Sequence, residues 1–93
     1  MPKEIMFTLQ TFRVMGIFCK RPEKEFSGSK ISMKTNLPSG TIYPLLGRLE
    51  AAGFVKSVWE KGSAKDLKRP LKHFYTITEK GKNRYLFEIL RNP

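Results

Sequence analysis

Ser39, Thr41, Tyr43 and Arg48 bring hydroxyl, phenol and guanidinium groups into one short stretch, and Gly40, Pro44 and Gly47 stand among them. Polar groups on an element with so little bulk around them can hydrogen-bond to phosphate oxygens or base edges that come close. A second set is basic. Between Lys56 and Lys72 lie Lys61, Lys65, Lys68 and Arg69, and the whole stretch is opposed only by Glu60 and Asp66. Such an excess can lie along a phosphate backbone or enter a minor groove, giving salt-dependent and largely sequence-independent affinity. Arg69-Pro70 is the expected point of groove entry, because Arg suits a narrow groove and Pro fixes the chain. Lys34 and Asn36, just before the first set, are assigned to the same surface.

Other chemistry is thinly supplied. His73 is the single histidine, set between Lys72 and Phe74, with no carboxylate pair or serine partner at a recognisable spacing. An enzyme is therefore not expected, and His73 is read as structural or DNA-adjacent. Cys19 is the one cysteine, which excludes a disulfide framework and a Cys-based metal site and suits a reducing cytosol. No metal or cofactor is expected. Trp59 is read as a cap on the hairpin and the core, with an aromatic wall for a flat ligand in a dimer cleft as the alternative.

Composition sets the frame for these residues. The 93-residue chain carries 18 Lys and Arg against 8 Asp and Glu, a net charge of +10. Its pI is near 10.1, so a polyanionic partner is expected, either nucleic acid or an anionic membrane surface. One small domain over 1–93 is expected, short enough that a dimer is a live option. The apolar run from Val14 to Cys19 is too short to span a bilayer, and Arg13 and Lys20 bracket it. With no cleavable signal visible, a cytoplasmic location on nucleoid or plasmid DNA is expected.

The elements that must position the polar groups follow from periodicity. A first helix is predicted from about Lys3 to Cys19, with Ile5, Leu9 and Phe12 as one apolar stripe and Phe7, Val14 and Phe18 as another. A helix with two apolar faces has two things to touch, its own core and a second subunit. After the loop Lys20 to Ser27 comes a short segment, Ser29 to Thr35, and the turn Asn36-Leu37-Pro38. A further helix runs from Ser39 to a left-handed stop at Gly53. "FVKSVWE" and "LKHFYTI" are rich in β-branched and aromatic residues and predict two strands. "KGSAKDLKRP" between them predicts a long basic hairpin loop. Thr78-Glu79-Lys80-Gly81 opens a last helix with Tyr85, Leu86, Ile89 and Leu90 as its apolar side and Asn92-Pro93 as its end. The expected class is mostly α with a small β-hairpin, in the helix, helix, helix, strand, wing, strand, helix order of a winged helix-turn-helix.

Within the Ser39 helix, projection at about 100° per residue gathers Ile42, Leu45, Leu46 and Leu49 on the core side. Gly40, Pro44, Gly47 and Ala51 fall opposite. Two readings of that bare face stand at this point. It is kept small for close approach to a DNA groove, with the helix N-terminus toward phosphate, or Gly47 and Ala51 pack against another helix.

"SGTIYPLLGRLEAAGFVKSVWE", the Gly-containing basic loop and "HFYTITEKGKNRYL" together resemble the PadR-like winged-helix transcriptional regulators. The shared landmarks are Gly40 to Leu46, Arg48 to Glu50, Gly53, Tyr75, Ile77, Thr78 and Gly81. The front of the domain, "EKEFSGSKIS", departs from the usual aromatic Gly-Tyr signature. The resemblance implies a homodimer, built on the first and last helices, that binds palindromic or repeated duplex DNA. Phe7, Val14 and Phe18 of the first helix and Tyr85, Leu86, Ile89 and Leu90 of the last, apolar faces that one short chain could hardly cover alone, are the interface residues expected. Ending one helix after the wing, the chain is expected to bind DNA and self-associate without a large effector-sensing tail.

Two roles for DNA binding remain open at this level. One is a transcriptional repressor. The other is a segregation or architectural protein that coats repeated sites, with higher-order assembly on DNA and a protein partner in a segregation complex. RNA binding is disfavoured by the lack of an exposed aromatic platform.

Overall fold

Thr8 starts the first helix. Its hydroxyl accepts from the Thr11 amide at 3.2 Å, and Phe7 before it stacks edge-on to Phe12 with ring centroids 5.2 Å apart, a hydrophobic staple that fixes the chain's entry angle. A computed structural model describes residues 6–91, and in it α1 spans Leu9–Lys20. Lys3 and Ile5, at the expected start of this helix, lie outside the described residues, as do Asn92 and Pro93 at the expected end of the last one.

The two-faced reading of α1 needs correction. Thr11, Val14, Met15 and Phe18 recur at helical spacing and are buried in the chain's own core, so Val14 and Phe18 are not surface residues that a second subunit can reach. Leu9 points outward at 75 % exposure. Phe12 lies between, 6.2 Å from the Tyr85 ring.

β1, Phe26–Ser27, leads directly into α2, Gly28–Thr35, which Ser27 caps. The next turn is held by side chains. Ser32 Oγ donates to the Leu37 carbonyl at 2.5 Å, Leu37 N donates to Thr35 Oγ1 at 3.3 Å, and Arg13 donates to the Thr35 carbonyl. Asn36 takes φ 59°, a left-handed conformation that asparagine tolerates better than most residues.

α3, Ser39–Ala51, buries Ile42, Leu45, Leu46 and Leu49, as its period predicts. Its end is a Schellman motif: Gly53 at φ 81°, Phe54 N on the Leu49 carbonyl and Gly53 N on the Glu50 carbonyl, both at 2.9 Å. Phe54 and Leu49 supply the buried apolar contact that accompanies it.

β2, Val55–Trp59, and β3, His73–Ile77, pair antiparallel from Val55 opposite Ile77 to Trp59 opposite His73. A third strand extends the expected hairpin. β1 pairs with the other edge of β3, giving the order β1-β3-β2 with Phe26 opposite Tyr75. The loop between β2 and β3 also contains a capped helical turn, α4, Ala64–Leu67.

α5, Glu79–Arg91, closes the fold with a glycine and a carboxylate on its inner side. Gly81 and Glu88 are buried, with Tyr85 half-buried between them, and Arg84 lies over the Phe7 and Phe54 rings at 5.2 and 5.6 Å. Leu86, Phe87, Ile89 and Leu90 face outward. Among the described residues no helix is long and apolar enough to cross a membrane.

Candidate nucleic-acid interface

The bare side of α3 faces open space. A Cβ built on Gly40 or on Gly47 meets nothing within 4 Å, so neither glycine is small in order to pack against another helix of this chain. Pro44 and Ala51 are exposed beside them. Pro44 has no N–H for the Gly40 carbonyl, but that carbonyl lies on the open side, where water can satisfy it, and Gly40 has no side chain to crowd the ring. The helix forgoes propensity along one stripe and gains a surface on which its backbone is approachable.

The start of α3 is open in the same way. Pro38 offers no side-chain cap, and its carbonyl takes the Thr41 and Ile42 amides at 2.9 and 3.0 Å. The Ser39 and Gly40 amides have no partner among the described residues and point out of the positive end of the helix, where an anion is stabilised. Ser39 is exposed, Thr41 half-buried and Arg48 exposed.

Tyr43 is held rather than loose. Its ring lies on the first turn of α2, so that a Cβ on Gly28 would be 2.4 Å from the ring, and 47 % of the residue remains exposed. Gly28 is thus a positioning residue, since only glycine admits the phenol there. On the same helix Glu50 accepts from Ser57 Oγ at 2.5 Å, tying α3 to β2. Neither Gly28 nor Ser57, nor the turn-fixing Arg13, Ser32 and Thr35, was singled out by spacing. Their partners are distant in sequence or lie in a turn whose path periodicity does not reveal. Lys34 and Asn36 are exposed at that turn.

In the wing Lys61, Lys65, Lys68 and Lys72 are exposed. Lys68 adopts φ 57° at the end of α4. Arg69 is engaged within the wing: its guanidinium forks onto Glu60, Nη1 to Oε1 at 2.7 Å and Nη2 to Oε2 at 2.9 Å. The Lys72 amide adds a third bond to Glu60 at 3.2 Å. These contacts, Arg69 first, hold the Glu60 carboxyl at about 2.

At the wing's base Trp59 stacks on His73, centroids 4.3 Å apart and planes within 6°, while 64 % of Trp59 remains exposed. His73 Nδ1 is 3.3 Å from the Tyr75 hydroxyl. Burial, with Glu50 and Tyr43 nearby, pushes the Tyr75 phenol up. Cys19 is half-buried and burial pushes its thiol up against the opposing pull of Lys82, which lowers the thiolate fraction.

Of the residues expected at a subunit interface, Leu86, Ile89 and Leu90 point outward, joined by Phe87. Phe7 and Tyr85 pack against the chain's own core, Tyr85 fitting over Gly16.

The fold has relatives. The structure of Bacillus subtilis PadR in complex with operator DNA superposes with a TM-score of 0.70 at 22 % identity, covering 88 % of this chain and 48 % of that one. A PadR-like transcriptional regulator from Bacillus cereus gives 0.62 at 25 % identity over 80 % of this chain and 71 % of that one. A PadR family regulator from Clostridium difficile gives 0.65 at 21 % identity over 86 % and 84 %. The chain thus spans about half the length of the Bacillus subtilis protein. Among curated proteins no match is found. The model of the PadR-like transcriptional regulator family matches residues 25–86, the stretch from β1 through the wing into α5, and the chain belongs to that family.

Proposed function

We propose that this protein is a transcriptional repressor that binds duplex DNA as a homodimer. The bare stripe of α3 carries the reading: Gly40 and Gly47 front open space beside an uncapped helix N-terminus, on a chain of net charge +10. In this reading α3 enters the major groove, Ser39 and the Ser39 and Gly40 amides meet phosphate, and Thr41, Tyr43 and Arg48 meet base edges. Lys61, Lys65, Lys68 and Lys72 follow the backbone, and Lys34 and Asn36 flank it. That the Bacillus subtilis relative is seen with operator DNA supports the same partner here.

The dimer rests on α5. A helix that buries Glu88 and leaves Leu86, Phe87 and Leu90 more than half exposed has its apolar side arranged for a second copy. A place in the cytoplasm, with the DNA, follows from this role. Spreading along repeated sites and a partner in a segregation complex draw no support from the fold or its relatives.

Anisotropy titrations against a selected and a random duplex over a range of salt test the reading. Lys65→Ala and Lys68→Ala are expected to weaken binding to both duplexes and lower the salt slope by up to about one unit each. Thr41→Ala and Arg48→Ala are expected to erode discrimination instead. Equal behaviour of the two groups at every salt concentration overturns the division of roles, and no duplex binding at low salt overturns the function.

A further inference from the structure

A concavity of about 340 Å³ lies where α1 ends, β1 begins and α2 ends, and no residue of α3 or the wing lines it. Its charged lining groups are Lys20, Arg21, Lys24 and Lys34, all cations, and none forms an ion pair among the described residues. The loop sorts its charges by side. Glu23 and Glu25, on either side of Lys24 in sequence, line a different groove, beside Lys56, Val58 and Thr76 of the sheet. The cations are set on a folded turn: the Arg21 amide donates to the Phe18 carbonyl at 3.2 Å and the Lys24 amide to the Arg21 carbonyl at 3.0 Å. Lys24 Nζ stands 5.4 Å from the centre of the Phe26 ring at the floor.

Lys20 and Lys34 sit in last helical turns, where a cation offsets the helix dipole. Lys24 is on no helix, and the dipoles do not account for it. Four like charges around one hollow repel one another, and a ligand with several negative charges relieves that repulsion where a single carboxylate leaves most of it. A phosphate group supplies the charge and the acceptor oxygens for such a set. Phe26 is buried, so it forms a floor and not a stacking platform, and the recognised part is the phosphate itself. We propose that this hollow is a phosphate-binding site outside the α3 and wing surface, sharing only Lys34 with the residues assigned to duplex DNA, and filled by a phosphate of the DNA backbone or by a free phosphorylated small anion.

The test uses the full chain, inorganic pyrophosphate followed by amide chemical shifts at about 0.15 M salt, and the salt dependence of duplex binding. The variant is Arg21→Gln with Lys24→Gln, both exposed, with Lys20→Gln as the second choice if the pair lowers the melting temperature. Saturable shifts confined to residues 20–26 and Lys34, weakened about tenfold or more in the variant, establish the site with a free anion. No saturation with pyrophosphate, but a duplex salt slope lowered by about two units in the variant, establishes it with backbone phosphate. Neither effect, or pyrophosphate shifts spread equally over the wing lysines, overturns the site. A wild-type chain that binds pyrophosphate here yet binds no duplex overturns the DNA reading alone.

Discussion

Gly81 of α5 lies so close to Phe54 that a Cβ on it would stand 2.1 Å from the Phe54 carbonyl oxygen. That approach is held by Thr78, whose amide donates to the Phe54 carbonyl at 3.0 Å, whose hydroxyl donates to the Gly53 carbonyl at 2.6 Å, and whose oxygen accepts from the Gly81 amide at 3.0 Å. The start of α5 is thereby fastened to the end of α3, across the chain reversal that carries the sheet. Gly81→Ala is expected to cost about 1–3 kcal/mol of stability, since the obstacle is backbone. Denaturant unfolding measures it, with the refolded fraction binding duplex as the wild type does. An unchanged unfolding midpoint contradicts the close approach.

Gly47 predicts the opposite coupling. With open space around it, Gly47→Ala is expected to raise stability by up to about 1 kcal/mol through helix propensity. Duplex affinity is expected to fall all the same, and further for Gly47→Leu, because the added side chain holds the backbone away from bases and phosphates. Melts and duplex titrations on both variants decide it. Undiminished affinity in Gly47→Leu removes α3 from the groove.

The fork between Glu60 and Arg69 sets a pH dependence for the wing. The folded carboxyl titrates at about 2, below the value near 4.3 expected of an unfolded glutamate, so protons favour the unfolded wing as pH falls. The fork's contribution is complete above that unfolded value and is lost progressively between about pH 4 and about pH 2. Carboxyl carbon shifts are expected to place Glu60 near 2 in the wild type and back in the ordinary range in Arg69→Ala. Because Arg69 is already answered, this variant is also expected to reduce the duplex salt slope less than Lys65→Ala does. Equal titration of Glu60 in both proteins contradicts the fork.

Leu90→Glu separates association from folding. Leu90 is 80 % exposed, so the charge is tolerated by one copy but not at an apolar contact between two. Light scattering is expected to show a folded monomer. Phe18→Ala, in the core, is expected to cost about 3–5 kcal/mol at any protein concentration. A wild-type chain already monomeric at micromolar concentration rules out the α5 contact.

What the sequence by itself determined was local and periodic. Ile42, Leu45, Leu46 and Leu49 could face only one way on a 3.6-residue repeat, Gly53 had to mark the left-handed stop, and the β-branched and aromatic runs had to pair around the wing. Those features depend on neighbours a few residues apart, and the family landmarks from Gly40 to Gly81 follow them. Tertiary structure decided what depends on distant partners. β1, two residues long, has no period to detect and exists because β3 has a free edge. Val14 and Phe18 belong to the core and not to a second face, because the chain's other elements close over them. Tyr85, Leu86, Ile89 and Leu90 formed one apolar stripe on the helical repeat, but folding divides it: Tyr85 packs against the chain's own core, while Leu86, Ile89 and Leu90 stay outward and Glu88 is buried. Arg69 read as a free cation until folding brought Glu60 across the wing. An ion pair nine residues apart in a loop leaves no periodic trace, since its geometry is set by the path of the turn between its partners.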